Sequence, residues 1–367
     1  MVVGVIHMVI GTRAQMLKMA PIMRECEDRG LAWRWIFAAQ HQETMQSTVD
    51  FFDLPPAAAV MVPWDKEAKS LAAMVVWTAR MTGALTRSRQ LLDGLTGKEH
   101  IVLTHGDTTT TVYGALVGRL TRTPVMHVES GLRSFSILNP FPEELNRLAT
   151  FRLSQYYACP GPWALENVKK YRGTKIDTGR NTQLDTLTYG MERIDRAAVK
   201  LPDGPYAVLS THRFENVYNR GRFTQIVELA ERAAQRLPVV MPLHPVTKGQ
   251  LEAHGLRDRL EANPSVILKP RLEYPAFLAT IVGAEFVMTD GGGNQEELSY
   301  LGVPTLILRE TSERQDGIGE NAVLSRFDRA IEDAFLADPE THRRDRTDPG
   351  ESPTSTIVDA IEGFGRS

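Results

Sequence analysis

Cysteine is nearly absent from this chain of 367 residues. It has two, Cys26 and Cys159, and neither stands in a CxxC or a Cys/His cluster. Two isolated thiols fit a reducing compartment and exclude both a disulfide framework and a zinc-binding frame. Long apolar runs are also missing. The opening MVVGVIHMVIGTR has no basic leader, and its apolar stretch falls well short of the roughly 20 residues that span a bilayer. It reads as a buried strand, and a cytoplasmic protein is expected. There is no excess of charge of one sign: 42 Lys and Arg against 45 Asp and Glu leave a net −3. Such a chain has no general attraction to nucleic acid or anionic membrane, so any phosphate must be held locally. GxGxxG, Walker A and HExxH patterns and a Ser-His-Asp order are all absent, which argues against dinucleotide, zinc and serine-hydrolase chemistry. No metal or cofactor is expected.

What is present is rhythm. The length suggests about two domains. In the first half, strand-like runs at Val3–Ile10, Trp33–Ala38, Ile101–Thr104, Pro124–Val128 and Tyr156–Cys159 alternate with helical patterns. Among these, Leu71, Met74, Val75, Thr78, Met81 and Leu85 keep helical spacing. A second series follows, with Tyr206–Ser210, Pro238–Pro242, Ser265–Leu268, Ala284–Thr289 and Pro304–Leu308. Alternation of this kind builds βαβ units and parallel sheets covered on both faces. The expected fold is therefore α/β, with two Rossmann-like domains facing across a cleft. The Leu-Pro-Asp-Gly-Pro turn within Ala198–Pro205 places a boundary between domains 1–198 and 199–350. Residues 351–367 form a tail in which Thr354–Phe364 has the pattern of a closing helix.

In open α/β sheets ligands bind beyond the carboxyl ends of the strands, and the polar motifs fall there. Gly11-Thr12-Arg13 follows the first strand. It suits a tight turn, a helix N-terminus open to phosphate and a cationic clamp, or equally an ordinary turn with a solvated arginine. His105-Gly106-Asp107 and the threonines after it put a carboxylate at a strand end, although Asp107 is also a natural N-cap and His105 a natural core-edge histidine. His127–Arg133 brings Glu129 to the next strand end. Pro140–Arg147 opens a helix with Glu143 and Glu144, one of which is expected to be structural. Three acids on one rim, Asp107, Glu129 and Glu143, are material for acid and base roles. In the second half, His212 and Arg213 after a strand suit a diphosphate. Thr289-Asp290-Gly291-Gly292-Gly293-Asn294 is a strand, a side-chain-free turn and a helix start. Arg309, Thr311, Glu313 and Arg314 read as a solvated loop.

Taken in order, these segments resemble the UDP-N-acetylglucosamine 2-epimerase family. The match runs from Gly11-Thr12-Arg13 and Lys18–Pro21 through Gln40-His41, HGDTTTT, HVESGLR, PFPEELNR, THRFEN and TDGGGNQEE to Thr311–Arg314, about 300 residues. The resemblance implies a GT-B-like pair of domains, a UDP-sugar substrate, no cofactor and a homodimer. It implies removal of the C2 proton, loss of UDP to give a glycal, and re-addition to give the C2 epimer. It makes Asp107, Glu129 and Glu143 the catalytic acids, with His212 beside the diphosphate. Arg13, Phe277, Gly291, Gly292, Gly293, Glu297 and Arg314 would contact the nucleotide, and Lys18 and His244 are carried over as further substrate-binding residues. Gln40 and His41 match a regulatory sugar-nucleotide site.

Several departures accompany the match. Asp290-Gly291-Gly292-Gly293 stands where the family usually has Asp-Ser-Gly-Gly, which removes one hydroxyl donor. Arg180 is extra within Gly179-Arg180-Asn181-Thr182, and Ala14-Gln15 replaces the usual Pro-Glu. Trp64–Ser70 lacks the Gln/Arg pair expected of the regulatory site, so activation by substrate is not expected. The segments HVESGLR and PFPEELNR resemble the non-hydrolysing branch. The alternatives are a GT-B glycosyltransferase, a hydrolysing 2-epimerase and a non-enzymatic UDP-sugar-binding protein; the acid-rich segments weigh against the first and the last.

Overall fold

The computed structural model describes residues 3–38, 45–63, 71–136, 141–196, 198–312 and 314–364. The chain forms two compact units. One holds the residues up to Thr186 together with those from Pro349 onward, and the other is Leu187–Asp348.

The first unit carries seven parallel strands: β1 (Ile6–Ile10), β2 (Trp33–Phe37), β3 (Ala59–Val60), β4 (Ile101–His105), β5 (Val125–Val128), β6 (Tyr156–Cys159) and β7 (Thr174–Asp177). Their order across the sheet is β3-β2-β1-β4-β5-β6-β7. All five residues of β1 and of β4 are buried, as expected of strands covered on both faces. The two-residue β3 and the half-exposed β7 are edge strands with no strong apolar run, and neither is expected from the sequence.

The helix Arg13–Asp28 begins at a capping box. The Thr12 hydroxyl accepts from the Gln15 N–H, and the Gln15 side chain accepts from the Thr12 N–H. Pro21 lies inside this helix and cannot donate to the Leu17 carbonyl. The Thr186 hydroxyl donates to that carbonyl instead. The terminal helix Pro353–Phe364 returns to this unit. It buries Ile357, Val358 and Ile361 and presents Asp359 and Glu362 to Arg29 at 2.5 and 2.9 Å.

The second unit has six parallel strands: β8 (Ala207–Ser210), β9 (Val239–Pro242), β10 (Val266–Lys269), β11 (Phe286–Thr289), β12 (Thr305–Ile307) and β13 (Ala322–Leu324). They are ordered β10-β9-β8-β11-β12-β13. Its core packs Phe223, Ile226, Val227 and Leu229 of the helix Arg220–Ala234 with Leu209, Met241 and Met288 of the sheet. In both sheets the strand order reverses once, between β1 and β4 and between β8 and β11. Those reversals are where an open α/β sheet leaves a crevice for a ligand. No helix among the described residues is long and apolar enough to cross a membrane.

Candidate active site

The first reversal brings the Gly11 turn beside the Asp107 turn. A Cβ on Gly11 would collide with the Thr110 side chain, so only glycine permits this approach. Gln15 bridges the two turns. Its Oε1 accepts from Gly11 N at 2.9 Å, and its Nε2 donates to the His105 carbonyl at 2.8 Å and to Thr108 Oγ1 at 3.0 Å. A residue that reads as a departure from the family pattern thus joins β1 to β4.

Asp107 is half-buried and forms an ion pair with Arg147, while its carbonyl accepts from Asn146 Nδ2 at 2.9 Å. Arg147 also reaches Glu144 at 3.2 Å. Burial opposes the Arg147 charge, but Asp107 and Glu144 outweigh it and raise its pKa. Glu144 is fully buried and accepts from Ser134 N at 3.0 Å, with Arg133 on its other oxygen. Burial pushes its pKa up, and Ser134, Arg133 and Arg147 together bring it below the ordinary value. Glu144 is therefore the structural member of the pair. Glu143 opens the helix Glu143–Leu153 and is half-buried.

Glu129 follows β5 with φ +60°, a left-handed backbone that costs a side chain about 1 kcal/mol. Its carboxylate lies between two buried side chains, Lys18 Nζ at 2.9 Å and His105 Nε2 at 3.2 Å. His127 fixes the neighbouring loop. Its Nε2 lies 2.7 Å from the Gly106 carbonyl, which can only accept, so Nε2 carries the proton. The Ser130 hydroxyl then donates to Nδ1 at 2.9 Å. Burial lowers the His127 pKa to about 4, so the ring is neutral. Arg13 extends toward the helix Gln46–Phe51, with its Nε 3.3 Å from Thr48 Oγ1.

The second reversal is organised by Asp290, which is fully buried. Its carboxylate accepts from Thr211 Oγ1 at 2.6 Å, Asn216 Nδ2 at 2.9 Å, His212 N at 3.0 Å and Arg213 N at 3.1 Å. This holds the loop after β8 and carries His212, whose ring lies 5.4 Å from that of His244 at the start of the helix Pro245–His254. Gly291 is the N-cap of the helix Gly292–Leu301. A Cβ at Gly291 would lie 3.1 Å from both His212 Cε1 and Asn294 Nδ2, whereas at Gly293 nothing stands within 4 Å. Arg314 pairs with Glu296 at 2.8 Å, Glu297 is buried, and Phe277 is half-buried on the helix Tyr274–Val282.

Arg309 corrects the expectation of a solvated loop. It is 4% exposed, and its Nε donates to the Asp290 carbonyl at 2.8 Å. Gln40, His41, Trp64–Ser70 and Glu313 lie outside the described residues. The supporting parts played by Gln15, His127 and Asp290 carry no signal in residue type alone, because each acts by holding a neighbour in place.

The chain is similar to known proteins over most of its length. The family model described as UDP-N-acetylglucosamine 2-epimerase matches residues 24–335. The UDP-N-acetylglucosamine 2-epimerase of Bacillus subtilis strain 168 is 32% identical over 324 residues, 84% of this chain and 80% of its own. A crystal structure of a putative UDP-N-acetylglucosamine 2-epimerase from Listeria monocytogenes superposes with a TM-score of 0.81 at 26% identity, covering 100% of this chain and 98% of that one. The Methanocaldococcus jannaschii UDP-GlcNAc 2-epimerase, solved with UDP-GlcNAc and UDP, gives 0.80 at 26% identity, with 97% and 99% covered. This chain belongs to the UDP-N-acetylglucosamine 2-epimerase family.

Proposed function

We propose that the chain is a non-hydrolysing epimerase that interconverts UDP-GlcNAc and UDP-ManNAc. A base removes the C2 proton, the C1–O bond breaks with its electron pair going to UDP, and a 2-acetamidoglucal remains bound. Delivery of a proton to the other face of C2 and return of UDP to C1 complete the epimer. Asp107, Glu129 and Glu143 divide the proton removal and delivery, and Lys18 holds Glu129. His212, Arg13, His244, Phe277, Gly291, Gly292, Gly293, Glu297 and Arg314 serve the nucleotide and its departing charge.

The observation that carries this reading is Glu129, set in an unfavourable backbone geometry between buried Lys18 and His105, beside the Asp107 turn. Strain of that kind is kept where a side chain must be aimed. The family resemblance also carries a cytoplasmic homodimer, whose subunit number light scattering checks. Incubation with UDP-GlcNAc in D₂O, followed by NMR, tests the reaction. Deuterium at C2 of both sugar nucleotides is expected. An unchanged C2 proton would refute epimerisation of this substrate, and free ManNAc would instead assign the chain to the hydrolysing branch.

A further inference from the structure

An open pocket of about 460 Å³ lies at the end of the first sheet away from the acids. Asp107 and Glu129 follow the carboxyl ends of β4 and β5, whereas this pocket gathers residues that lead into β6 and β7. Four cations line it, Arg119, Arg152, Lys170 and Arg172, and no acid does. None of the four pairs with a carboxylate among the described residues. Arg119 and Arg152 stand in the last turns of the helices Thr109–Thr121 and Glu143–Leu153, where a cation offsets the helix dipole. Lys170 and Arg172 have no such duty, since they lie on the loop between the helix Pro162–Val168 and β7. Lys170 Nζ sits 5.5 Å from the centre of the Tyr171 ring, which packs against Phe151 with 5.4 Å between centroids. The Tyr171 hydroxyl is shut away from solvent and has no hydrogen-bond partner among the described residues. A buried donor left unsatisfied at a pocket wall calls for an acceptor.

We propose that this pocket is a second anion site, separate from the reacting centre, and that it takes a compound with two or three linked phosphates. The chain as a whole is net −3, so four cations gathered without a counter-charge are a local feature and repel one another. A single phosphate carries about −2 and would leave half of that charge unmet, whereas linked phosphates match it. The arginines engage phosphate oxygens through paired N–H donors, and Lys170 adds a point charge. The volume is within the usual range for a small-molecule site.

Calorimetric titration of the full chain with sodium tripolyphosphate, in excess UDP so that the nucleotide site is filled, tests this. One saturable event is expected, with an affinity that falls as salt is raised. Lys170→Gln combined with Arg172→Gln should weaken it about tenfold and leave UDP affinity unchanged. Amine acetylation of the wild-type chain, read by mass spectrometry, covers the case of a variant that does not fold. Tripolyphosphate should shield Lys170 and leave Lys169 reactive, since Lys169 is exposed and pairs with Glu166 at 3.3 Å. The same footprint with ATP separates the two sources of linked phosphate. Shielding at a lower concentration of ATP than of tripolyphosphate assigns the site to a nucleotide, and the reverse assigns it to the inorganic chain. Absence of saturable binding, full affinity in the double variant or an unshielded Lys170 would each overturn the proposal. A chain that binds tripolyphosphate but not UDP would refute the UDP-sugar reading and leave this site standing.

Discussion

Among individual side chains, the proposed site sets candidate acids beside groups that hold them. Glu129 and Asp107 each face a cation, Lys18 and Arg147. Glu129→Gln and Asp107→Asn keep the shape and remove the charge. Both are expected to abolish C2 deuterium exchange while UDP still binds by calorimetry; retained exchange in either would remove that residue from the mechanism. Gly291 gives a second prediction. Gly291→Ser would restore the hydroxyl usual in the family, yet its Cβ would press on His212 and Asn294 at 3.1 Å. The single change should raise KM about tenfold, and Asn294→Ala beside it should relieve the crowding. Most of the acids and glycines are legible in the sequence because their types advertise chemistry. Arg309 is not, since a charged residue after a strand looks the same in sequence whether solvated or buried.

Among helices and strands, Gln15 joins a helix cap to a loop crosslink. It closes the capping box with Thr12 and also reaches His105, Thr108 and Thr111. Gln15→Ala should cost about 2 kcal/mol in chemical denaturation, through the lost cap and the lost bonds to Gly11, Thr108 and the His105 carbonyl, which still accepts from Thr111 Oγ1. Gln15→Glu keeps the cap but sets a carboxylate against the His105 carbonyl, so it should destabilise as well. The long buried strands are legible from their apolar runs. The edge strands β3, β7 and β13 are not, because two to four partly exposed residues carry no periodic signal. The helix Arg13–Asp28 runs through Pro21 because Thr186 serves the carbonyl that Pro21 cannot.

For the chain taken together, two buried histidines set a pH dependence of stability. Burial is the main cause in both and lowers His7 and His127 from 6.5 to about 4. Below 6.5 the unfolded chain takes up protons that the folded chain refuses. Stability is therefore fully present above about 6.5 and falls as the pH drops toward 4. Thermal melts between pH 7 and pH 4.5 should show this decline, and His7→Gln should flatten part of it. A melt independent of pH over that range would contradict the assignment. The two-unit alternation of strands and helices is legible from the rhythm of the chain. The return of the last helix to the first unit has no compositional signature, since it depends on the meeting of Arg29 with Asp359 and Glu362.

That return bears on biosynthesis. Leu187–Asp348 is one uninterrupted stretch, whereas the first unit takes its final helix from Pro353–Phe364. The second unit is fully translated before the first has received its last element. The surface that buries Ile357, Val358 and Ile361 thus stays uncovered on the ribosome until Pro353–Phe364 has been made, and that helix then acts as the seal on a body begun long before it.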